Sequence, residues 1–317
     1  MWYGFELINR GKTHPGTVEL AEGLARYSDI TRGRAKARFL EAALDGKLRQ
    51  AGELASPCRL CERRCGADRK GGKAGVCGVL EPRVSSEFLH FGEEPELVPS
   101  HTIFFAGCTF RCAFCQNYDI SQDPECGAQI SSAELANRIE RGGGINVNWV
   151  GGDPTSNLEY ILHVMYELKA LKFNIAQVWN SNMYLTEEAM GVLDGVIDVY
   201  LSDFKYGNDR CAKRLSGVDR YFEVVSRNHR LASKQCEILL RHLVMPGHVE
   251  CCTKPVLDWV AKNIPNEVIR VNVMDQYHPD FMVLREKEKY PELARRLKMQ
   301  EYLEAYENAR KLGLDLV

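Results

Sequence analysis

The stretch CTFRCAFC, residues 108–115, places Cys108, Cys112 and Cys115 on one short loop with the spacing C-x3-C-x2-C. It directly follows the apolar run His101–Gly107, which the pattern predicts to be a β-strand. Three thiolates on one tight loop can bind three irons of a [4Fe-4S] cluster, and the fourth iron then stays open to a small molecule. The spacing therefore favours a chemical site over plain electron transfer. The alternatives are a loop of structural cysteines and a zinc site that a distant residue completes.

Short β-rich runs alternate with helical patterns on both sides of this loop. We predict strands at Val84–Phe91, Thr102–Ala106, Ile145–Val150, Ile175–Trp179, Val196–Ser202, Cys236–Met245 and Val268–Met274. We predict helices at Ser132–Arg141, Leu158–Leu171, Glu187–Leu193, Arg220–Ser233, Cys251–Asn263 and Glu292–Leu312. This alternation predicts an α/β fold with a parallel sheet and helices outside it, a full or partial barrel spanning residues 84–285, with residues 286–317 as a C-terminal helix. The cysteine loop then lies at the carboxyl end of a barrel strand, where such barrels place their active sites.

The chain before the barrel divides into two predicted parts. Residues 1–57 form an extension with a helix at Arg34–Gln50. Residues 58–83, here called the knuckle, carry four more cysteines in a glycine-rich stretch with the spacing C-x2-C-x3-C-x11-C: Cys58, Cys61, Cys65 and Cys77. The knuckle has almost no large apolar residues, so we expect a bound metal to hold it together. Four thiolates favour a closed mononuclear Zn or Fe site, and an auxiliary [4Fe-4S] cluster is the alternative.

Composition and charge narrow the class of protein. The chain has 317 residues, of which 45% are hydrophobic and 26% charged, as in folded proteins of ordinary core size. A net charge of −2 argues against a protein that coats nucleic acid. No apolar region follows Met1–Glu6 and no apolar run approaches the length of a membrane span, so we expect a cytoplasmic protein without a secretory signal or a membrane contact.

Two further features of the sequence have plain interpretations. The knuckle is basic, which indicates either a solvated surface or a dock for an acidic protein or nucleic acid; its basic residues are Arg59, Arg63, Arg64, Arg69, Lys70 and Lys73. The other five cysteines show no shared ligand spacing, so we predict ordinary thiols at Cys126, Cys211, Cys236, Cys251 and Cys252.

The cysteine loop resembles that of the radical S-adenosylmethionine (SAM) superfamily. Four segments resemble more closely its branch of pyruvate formate-lyase activating enzyme-like proteins: residues 104–121, HFGEEP at 90–95, RHLVMPG at 241–247 and DQYHP at 275–279. The resemblance covers about residues 58–280 and implies a partial (β/α)6-type TIM barrel. In that family the cluster binds SAM through its amino and carboxylate groups, and one electron cleaves the sulfonium. The 5′-deoxyadenosyl radical so formed abstracts a hydrogen atom from the substrate.

The resemblance assigns roles to residues of the first two loops. Cys108, Cys112 and Cys115 match the cluster ligands, and Phe114 matches an aromatic residue that contacts the adenine. Gly151-Gly152-Asp153-Pro154 is similar to a Gly-Gly-Glu-Pro segment that receives the SAM amino group. Asp153 is shorter than the family's Glu, so the resemblance implies a contact from the backbone more than from this side chain.

The family resemblance also assigns roles to residues in the loops after later predicted strands. Asp203 and Lys205 resemble an Asp-x-Lys segment in which the lysine meets the SAM carboxylate and the aspartate lies by the ribose and a bound cation. Ser181 lies in Asn180-Ser181-Asn182, where the family has Asp-Thr-Asn, and the loss of one acid makes that cation doubtful. His278 matches a histidine near the SAM carboxylate, and Arg241 supplies a positive charge for the same group or for the substrate.

Three hypotheses about function follow. The first is a radical SAM oxidoreductase that acts on a protein, by glycyl-radical activation or residue modification, with flavodoxin or ferredoxin as the electron donor. The second is a radical SAM enzyme that acts on a small molecule or RNA. The third is a non-enzymatic iron-sulfur or zinc module that binds nucleic acid. The third does not explain why the motifs at Asp153, Lys205 and His278 each follow a predicted strand.

Overall fold

One seven-stranded sheet organises residues 24–317, the part of the chain that this computed structural model describes. The remaining residues 1–23, which include the start of the predicted 1–57 extension and the Met1–Glu6 segment, lie outside the described residues. The strands, in chain order and in sheet order, are β1 (Val84–His90), β2 (Ser100–Phe105), β3 (Asn146–Gly151), β4 (Ala176–Ser181), β5 (Val199–Asp203), β6 (Glu237–Leu243) and β7 (Ile269–Met274). Strand β1 is antiparallel to β2, and β2 to β7 are all parallel. The prediction of a partial α/β barrel with six parallel strands is confirmed.

Helices cover the outside of the sheet. They are α1 (Ala25–Thr31), α2 (Arg38–Glu41), α3 (Leu44–Ala55), α4 (Tyr118–Ser121), α5 (Ser132–Arg141), α6 (Leu158–Ala170), α7 (Glu187–Leu193), α8 (Asp209–Ser216), α9 (Tyr221–Gln235), α10 (Lys254–Asn263), α11 (Phe281–Arg285) and α12 (Met299–Lys311). Helices α5 to α10 lie in the crossovers between successive parallel strands, and α3 packs against α6 and α7. Since neighbouring strands are consecutive in the chain, the sheet winds in one direction and curls into an open barrel. None of the helices in residues 24–317 has the length and apolar character needed to span a bilayer.

The barrel strands are apolar because both faces of the sheet are covered. Every residue of β4 is buried, and the largest fully buried side chains include Trp149 on β3, Trp179 on β4 and Tyr200 on β5. Parallel strands that lie between helices and a core lose the alternation of polar and apolar residues that marks a half-exposed strand. Buried polar residues such as Asn148 on β3 and Gln177 on β4 interrupt the apolar runs, and β7 still alternates between buried and half-buried residues.

The single helix predicted at Arg34–Gln50 is wrong. The segment forms two helices, α2 and α3, because Ala42 between them has extended backbone angles. The carbonyl of Ala42 accepts a hydrogen bond from Lys169 Nζ on α6 at 2.7 Å, and the backbone N–H of Arg38 donates to Asp198 at 3.0 Å. These contacts with the barrel replace the intrahelical bonds that a continuous helix would form.

The predicted C-terminal helix at Glu292–Leu312 is too long, since α12 begins at Met299. The carboxylate of Glu301 in its first turn accepts from the backbone N–H of Lys298 at 3.0 Å and from that of Gly247 at 2.8 Å. Arg295 also donates to Glu301, which ties the chain before the helix to its first turn. The helix predicted from Cys251 likewise begins later, at Lys254, after a π-helical turn at Val249–Thr253.

His229 on α9 links that helix to the sheet. Its Nδ1 lies 2.8 Å from the carbonyl oxygen of Val225, which only accepts, so Nδ1 donates and Nε2 accepts from Ser202 Oγ on β5 at 3.0 Å. The ring also stacks on Phe204 with 5.0 Å between centroids. Burial lowers the pKa of His229 to about 4, so the imidazole is neutral in the folded protein at neutral pH.

We predict that acid destabilises the fold through His229. The unfolded chain binds a proton near pH 6.5 and the folded chain does not, so this contribution is complete above that pH and falls towards pH 4. The loss between pH 7.5 and pH 5 amounts to about 2 kcal/mol in the free energy of unfolding. Urea titrations at both pH values, on the wild type and on His229→Gln, measure it. An equal loss in the two proteins would contradict the assignment.

Candidate active site

A cavity of about 610 Å³ opens at the carboxyl ends of the parallel strands. It brings together Cys108, Cys112 and Cys115 with eight of the nine residues for which the sequence predicts SAM contacts, namely Phe114, Gly151, Gly152, Asp153, Ser181, Asp203, Lys205 and Arg241. The ninth, His278, is exposed and does not belong to the lining; its Nδ1 lies 3.4 Å from the carbonyl oxygen of Pro279. Residues separated by more than 130 positions in the sequence thus meet because their strands end at one edge of the sheet.

Each cysteine of the 108–115 loop has a hydrogen-bonding neighbour. The Phe110 N–H donates to Cys108 Sγ at 3.3 Å. Cys112 Sγ lies 2.9 Å from Ser216 Oγ on α8, and Cys115 Sγ lies 3.2 Å from Ser121 Oγ. Burial raises the pKa of Cys112 to about 12, so its thiolate forms only beside a compensating positive charge such as a bound metal.

The carboxylate of Asp153 joins three of the loops around the cavity. It accepts from the backbone N–H of Thr155 at 3.0 Å and from that of Asn182, after β4, at 3.1 Å. The amide of Asn182 in turn donates to Thr109 Oγ1 in the cysteine loop at 2.9 Å. Burial raises the pKa of Asp153, so these two N–H donors are what keep a carboxylate in this position. Asp153 therefore positions the loops after β2, β3 and β4 in this structure.

Asp203 and Lys205, at the end of β5, form an ion pair with each other at the cavity wall. The backbone N–H of Lys205 donates to the hydroxyl of Tyr221 at 2.8 Å, which fixes the backbone from which the lysine extends. The pair is partly buried. A partly buried ammonium held this way presents a positive charge to a carboxylate ligand with little new cost of burial.

Arg241 on β6 is already paired within the protein. Its guanidinium contacts Glu93, and it donates to both oxygens of Glu94 at 2.7 and 2.5 Å. Asn272 on β7 also donates to Glu94 at 2.8 Å. Burial alone would raise the pKa of Glu94, but Arg241 outweighs it and the net pKa is lowered. The sequence missed this role for Glu93 and Glu94, although both stand in the HFGEEP segment that contributed to the family resemblance.

The knuckle packs directly on the loops that surround the cavity. Arg63 donates to the carbonyl oxygens of Thr109 and Gly217, at 3.0 and 2.6 Å, and Arg69 donates to that of Ser156 at 2.7 Å. Arg64 pairs with acidic residues of the knuckle and of α7. Three of the six basic residues of the knuckle therefore make contacts within the chain. The positive charge that the predicted dock could offer to a partner is smaller by that amount.

A second, small cavity is lined by Thr109, Thr155 and all four knuckle cysteines, Cys58, Cys61, Cys65 and Cys77. Among the described residues, however, the group whose ligand atoms all lie within 4.8 Å of one another is a different one. That group consists of Cys211, His248, Cys251 and Cys252. The sequence predicts ordinary thiols without a shared ligand spacing for these three cysteines, and the structure brings them together beside His248. The sequence carried a signal, the spacing H-x2-C-C at residues 248–252, which sequence analysis passed over.

Comparison with known proteins agrees with this geometry. The sequence model of the family described as the Radical SAM superfamily matches residues 102–260, half of the chain. The chain belongs to the radical SAM superfamily. It is 47% identical over 282 residues to the uncharacterized protein MJ0674 of Methanocaldococcus jannaschii, covering 86% of this chain and 80% of that protein. It is 24% identical over 152 residues to the pyruvate formate-lyase 1-activating enzyme of Escherichia coli, covering 45% of this chain and 60% of that enzyme.

Solved structures also resemble the chain, at lower identity. The SuiB protein of Streptococcus suis matches with a TM-score of 0.43 and 13% identity over 68% of this chain and 47% of SuiB. A domain of a pyruvate-formate lyase-activating enzyme from Bacteroides vulgatus matches with a TM-score of 0.40 and 15% identity, over 55% of this chain and 98% of that domain. The chain thus spans about half the length of SuiB and somewhat more of the E. coli enzyme.

Membership of the superfamily implies a [4Fe-4S] cluster and SAM, and the residues present fit both. Three thiols converge on the cavity, each with one hydrogen-bonding neighbour of the kind that surrounds cluster cysteines. The lining of the same cavity carries a partly buried lysine at Lys205 and carboxylates at Glu93 and Asp203, groups that complement an amino acid.

We predict that Asp153→Ala lowers the free energy of unfolding by about 2–4 kcal/mol, because two buried N–H groups lose a charged acceptor. Urea unfolding without SAM measures this, with the exposed Asp275→Ala as a control. A side chain that served only to bind SAM would leave the stability of the SAM-free protein unchanged, so wild-type stability in Asp153→Ala would contradict a positioning role.

Proposed function

We propose that this radical SAM protein cleaves SAM reductively and abstracts a hydrogen atom from a protein substrate, by glycyl-radical activation or residue modification. The observation that carries the proposal is the convergence of Cys108, Cys112 and Cys115 with the residues matched to SAM contacts on one cavity. A flavodoxin or ferredoxin of the cytoplasm would supply the electron.

The residues of the chain divide the work within the cavity. Cys108, Cys112 and Cys115 would hold the cluster, and when bound it supplies one electron that breaks the SAM sulfonium to give methionine and a 5′-deoxyadenosyl radical. Phe114, which lines the cavity and packs on Tyr277 with 6.0 Å between centroids, would contact the adenine. In this proposal the two aromatic rings would help to exclude water from the reacting atoms, which protects a radical from side reactions.

Lys205 is the group we assign to the SAM carboxylate. Its ammonium already lies against Asp203, so a second carboxylate can share it through another of its three N–H donors. Arg241, by contrast, has Glu93 and Glu94 as partners and is better suited to hold the wall of the cavity than to bind SAM. This proposal keeps the SAM carboxylate on Lys205, as the family resemblance implies, and gives Arg241 a structural role instead of a contact with SAM.

The rim of the cavity supports a protein substrate. Phe88 and Phe91 are 45% and 68% exposed, and Phe88 stacks on Phe104, which lines the cavity, with 5.5 Å between centroids. Beyond its first residues, β1 has no strand on its outer side among residues 24–317. An extended peptide can add to such an edge and bring one residue to the cavity. The E. coli relative, by its name, activates pyruvate formate-lyase, which is a protein.

We infer that the knuckle also holds a metal. A single tetrahedral ion brings sulfur ligands to about 3.8 Å from one another. No three of Cys58, Cys61, Cys65 and Cys77 lie within 4.8 Å of one another. This wider spacing favours the auxiliary [4Fe-4S] cluster over the mononuclear Zn or Fe ion. The Val76 carbonyl accepts from Arg111 Nη2 at 2.5 Å, so a cluster there would adjoin the 108–115 loop.

We predict that Lys205→Met weakens SAM binding by about 10- to 150-fold, the effect of losing one charge-assisted contact worth about 1.5–3 kcal/mol. Asp203→Asn should weaken it less, because the lysine remains. Anaerobic equilibrium dialysis with labelled SAM on the cluster-loaded protein gives the dissociation constants, and iron analysis checks that the cluster is retained. The exposed Lys213→Met, outside the cavity, should bind SAM normally. Unchanged affinity in Lys205→Met would refute the assignment.

We predict that the substrate hydrogen comes from a protein. The reconstituted protein, SAM and dithionite are mixed with an extract of deuterium-grown cells of the source organism, divided at 10 kDa into a retentate and a filtrate. Deuterium should appear in 5′-deoxyadenosine with the retentate, should survive ribonuclease treatment and should disappear after the retentate has been digested with a protease. Mass spectrometry of the nucleoside measures it.

Each other outcome identifies a different function. Label from the filtrate alone would indicate a small-molecule substrate, and label lost with ribonuclease would indicate RNA. No 5′-deoxyadenosine at all would reject SAM cleavage itself. The Cys112→Ala protein, which lacks one cluster ligand, is the control that should form no product in any fraction.

A further inference from the structure

Four ligand side chains meet away from the cavity, on the outer side of the barrel loops. Cys211 lies in the first turn of α8, and His248, Cys251 and Cys252 lie in the turn between β6 and α10. Cys251 Sγ is 3.3 Å from His248 Nδ1, 3.9 Å from Cys211 Sγ and 3.9 Å from Cys252 Sγ. His248 Nδ1 is also 3.7 Å from the sulfurs of Cys211 and Cys252.

These distances are those of a tetrahedral site. Zinc–sulfur bonds of about 2.3 Å and zinc–nitrogen bonds of about 2.0–2.1 Å place two sulfurs about 3.8 Å apart and a sulfur and a nitrogen about 3.6 Å apart. The five distances given above scatter around these two values. A disulfide would use only two of the sulfurs and would leave His248 and the third cysteine without a function.

The donor set and its surroundings favour zinc. Cys211, His248 and Cys252 are buried and Cys251 is half-buried, so water has little access. Three thiols and one imidazole, without a carboxylate, are the ligands of structural zinc sites and not of calcium or magnesium sites.

Neighbouring polar groups orient the ligands as they do around bound metals. The second nitrogen of His248, Nε2, lies 3.5 Å from Glu292 Oε1, and Arg214 on α8 donates to both oxygens of Glu292 at 2.5 and 3.2 Å. A carboxylate on the far nitrogen is a common partner of a metal-binding histidine. Asn208 donates to the Cys251 carbonyl oxygen at 2.7 Å and accepts from the Cys211 N–H at 2.9 Å. The turn that holds the ligands is thus fixed to α8 from both sides.

We propose that Cys211, His248, Cys251 and Cys252 bind one zinc ion in a closed site that fastens α8 to the β6–α10 turn. With four protein ligands the ion has no open position, so its role is structural. The other end of α8 supports the cysteine loop, because the carbonyl oxygens of Leu215 and Ser216 accept from backbone N–H groups of that loop at 2.8 and 3.1 Å. The zinc and the cysteine loop then hold the two ends of one short helix.

The wild-type protein provides the first test, which needs no variant. X-ray absorption at the zinc edge of protein purified from zinc-supplemented cells should show about three sulfur ligands and one nitrogen per zinc. If the knuckle also takes up zinc, the average becomes about 3.5 sulfurs and half a nitrogen. An all-sulfur environment, or no zinc, would overturn the proposal, as would iron in this site.

Variants locate the ion. The double variant Cys251→Ser/Cys252→Ser keeps side-chain size and leaves only two ligands, so it should contain one zinc fewer per chain than the wild type and should unfold at a lower temperature. Cys236→Ser removes another buried cysteine, which lies just before β6 whereas His248, Cys251 and Cys252 follow that strand, and should keep the wild-type zinc content. Equal zinc in all three proteins would refute the site, and zinc loss without a change in unfolding temperature would refute the fastening role. None of these residues lines the SAM cavity, so the test stands apart from the proposed function.

Discussion

The active-site end of this protein depends on one buried carboxylate. Six parallel strands end at the same edge, and loops that leave such an edge have no strand pairing to fix them. Asp153 accepts hydrogen bonds from the loops after β3 and β4, and Asn182 extends the link to Thr109 beside Cys108. These hydrogen bonds hold the cysteine loop without using its thiols, and a loop that is fixed in this way has a lower ordering cost when it binds a cluster. The loops after β2, β3 and β4, which line the cavity, all depend on this arrangement.

The sequence predicted the elements whose signal is local. Helices α5 and α7 were predicted with the observed ends, and in the structure the side chains of Ser131 and Thr186 cap their first turns, which is a local feature of each helix. The errors come from contacts with distant residues. Lys169 donates a hydrogen bond to the Ala42 carbonyl at the point where one predicted helix is divided into two. Glu301 accepts from the Gly247 N–H at the start of α12, which is shorter than the predicted helix. Nothing in the local pattern of either segment records these partners.

Predictions about the site divide in the same way, into features with a local signal in the sequence and features that depend on distant residues. Motifs that each follow a strand predict one cavity, since parallel topology alone brings strand ends together, and eight of nine predicted contacts line it. Which ion pairs and hydrogen bonds a side chain of the site forms depends, by contrast, on residues far away in the sequence. Glu93 and Glu94 lie almost 150 residues before Arg241, and Cys211 lies 40 residues before Cys251, so neither grouping has a compact spacing to recognise. Only the H-x2-C-C segment offered a local signal for the second group.

The charges of the cavity are arranged for a cationic ligand. Its lining holds four carboxylates, Glu93, Glu94, Asp153 and Asp203, against two basic side chains, Lys205 and Arg241. The lining is therefore formally negative, whereas SAM carries a sulfonium and an ammonium against one carboxylate. Because the carboxylates are paired or hydrogen-bonded within the protein, binding SAM exchanges partners and does not strip water from isolated charges, which is the costly step for buried ions. The Asp203–Lys205 pair contributes both signs to the cavity at one point, and in the function proposed above it is the pair that would make this exchange with a zwitterionic amino acid group.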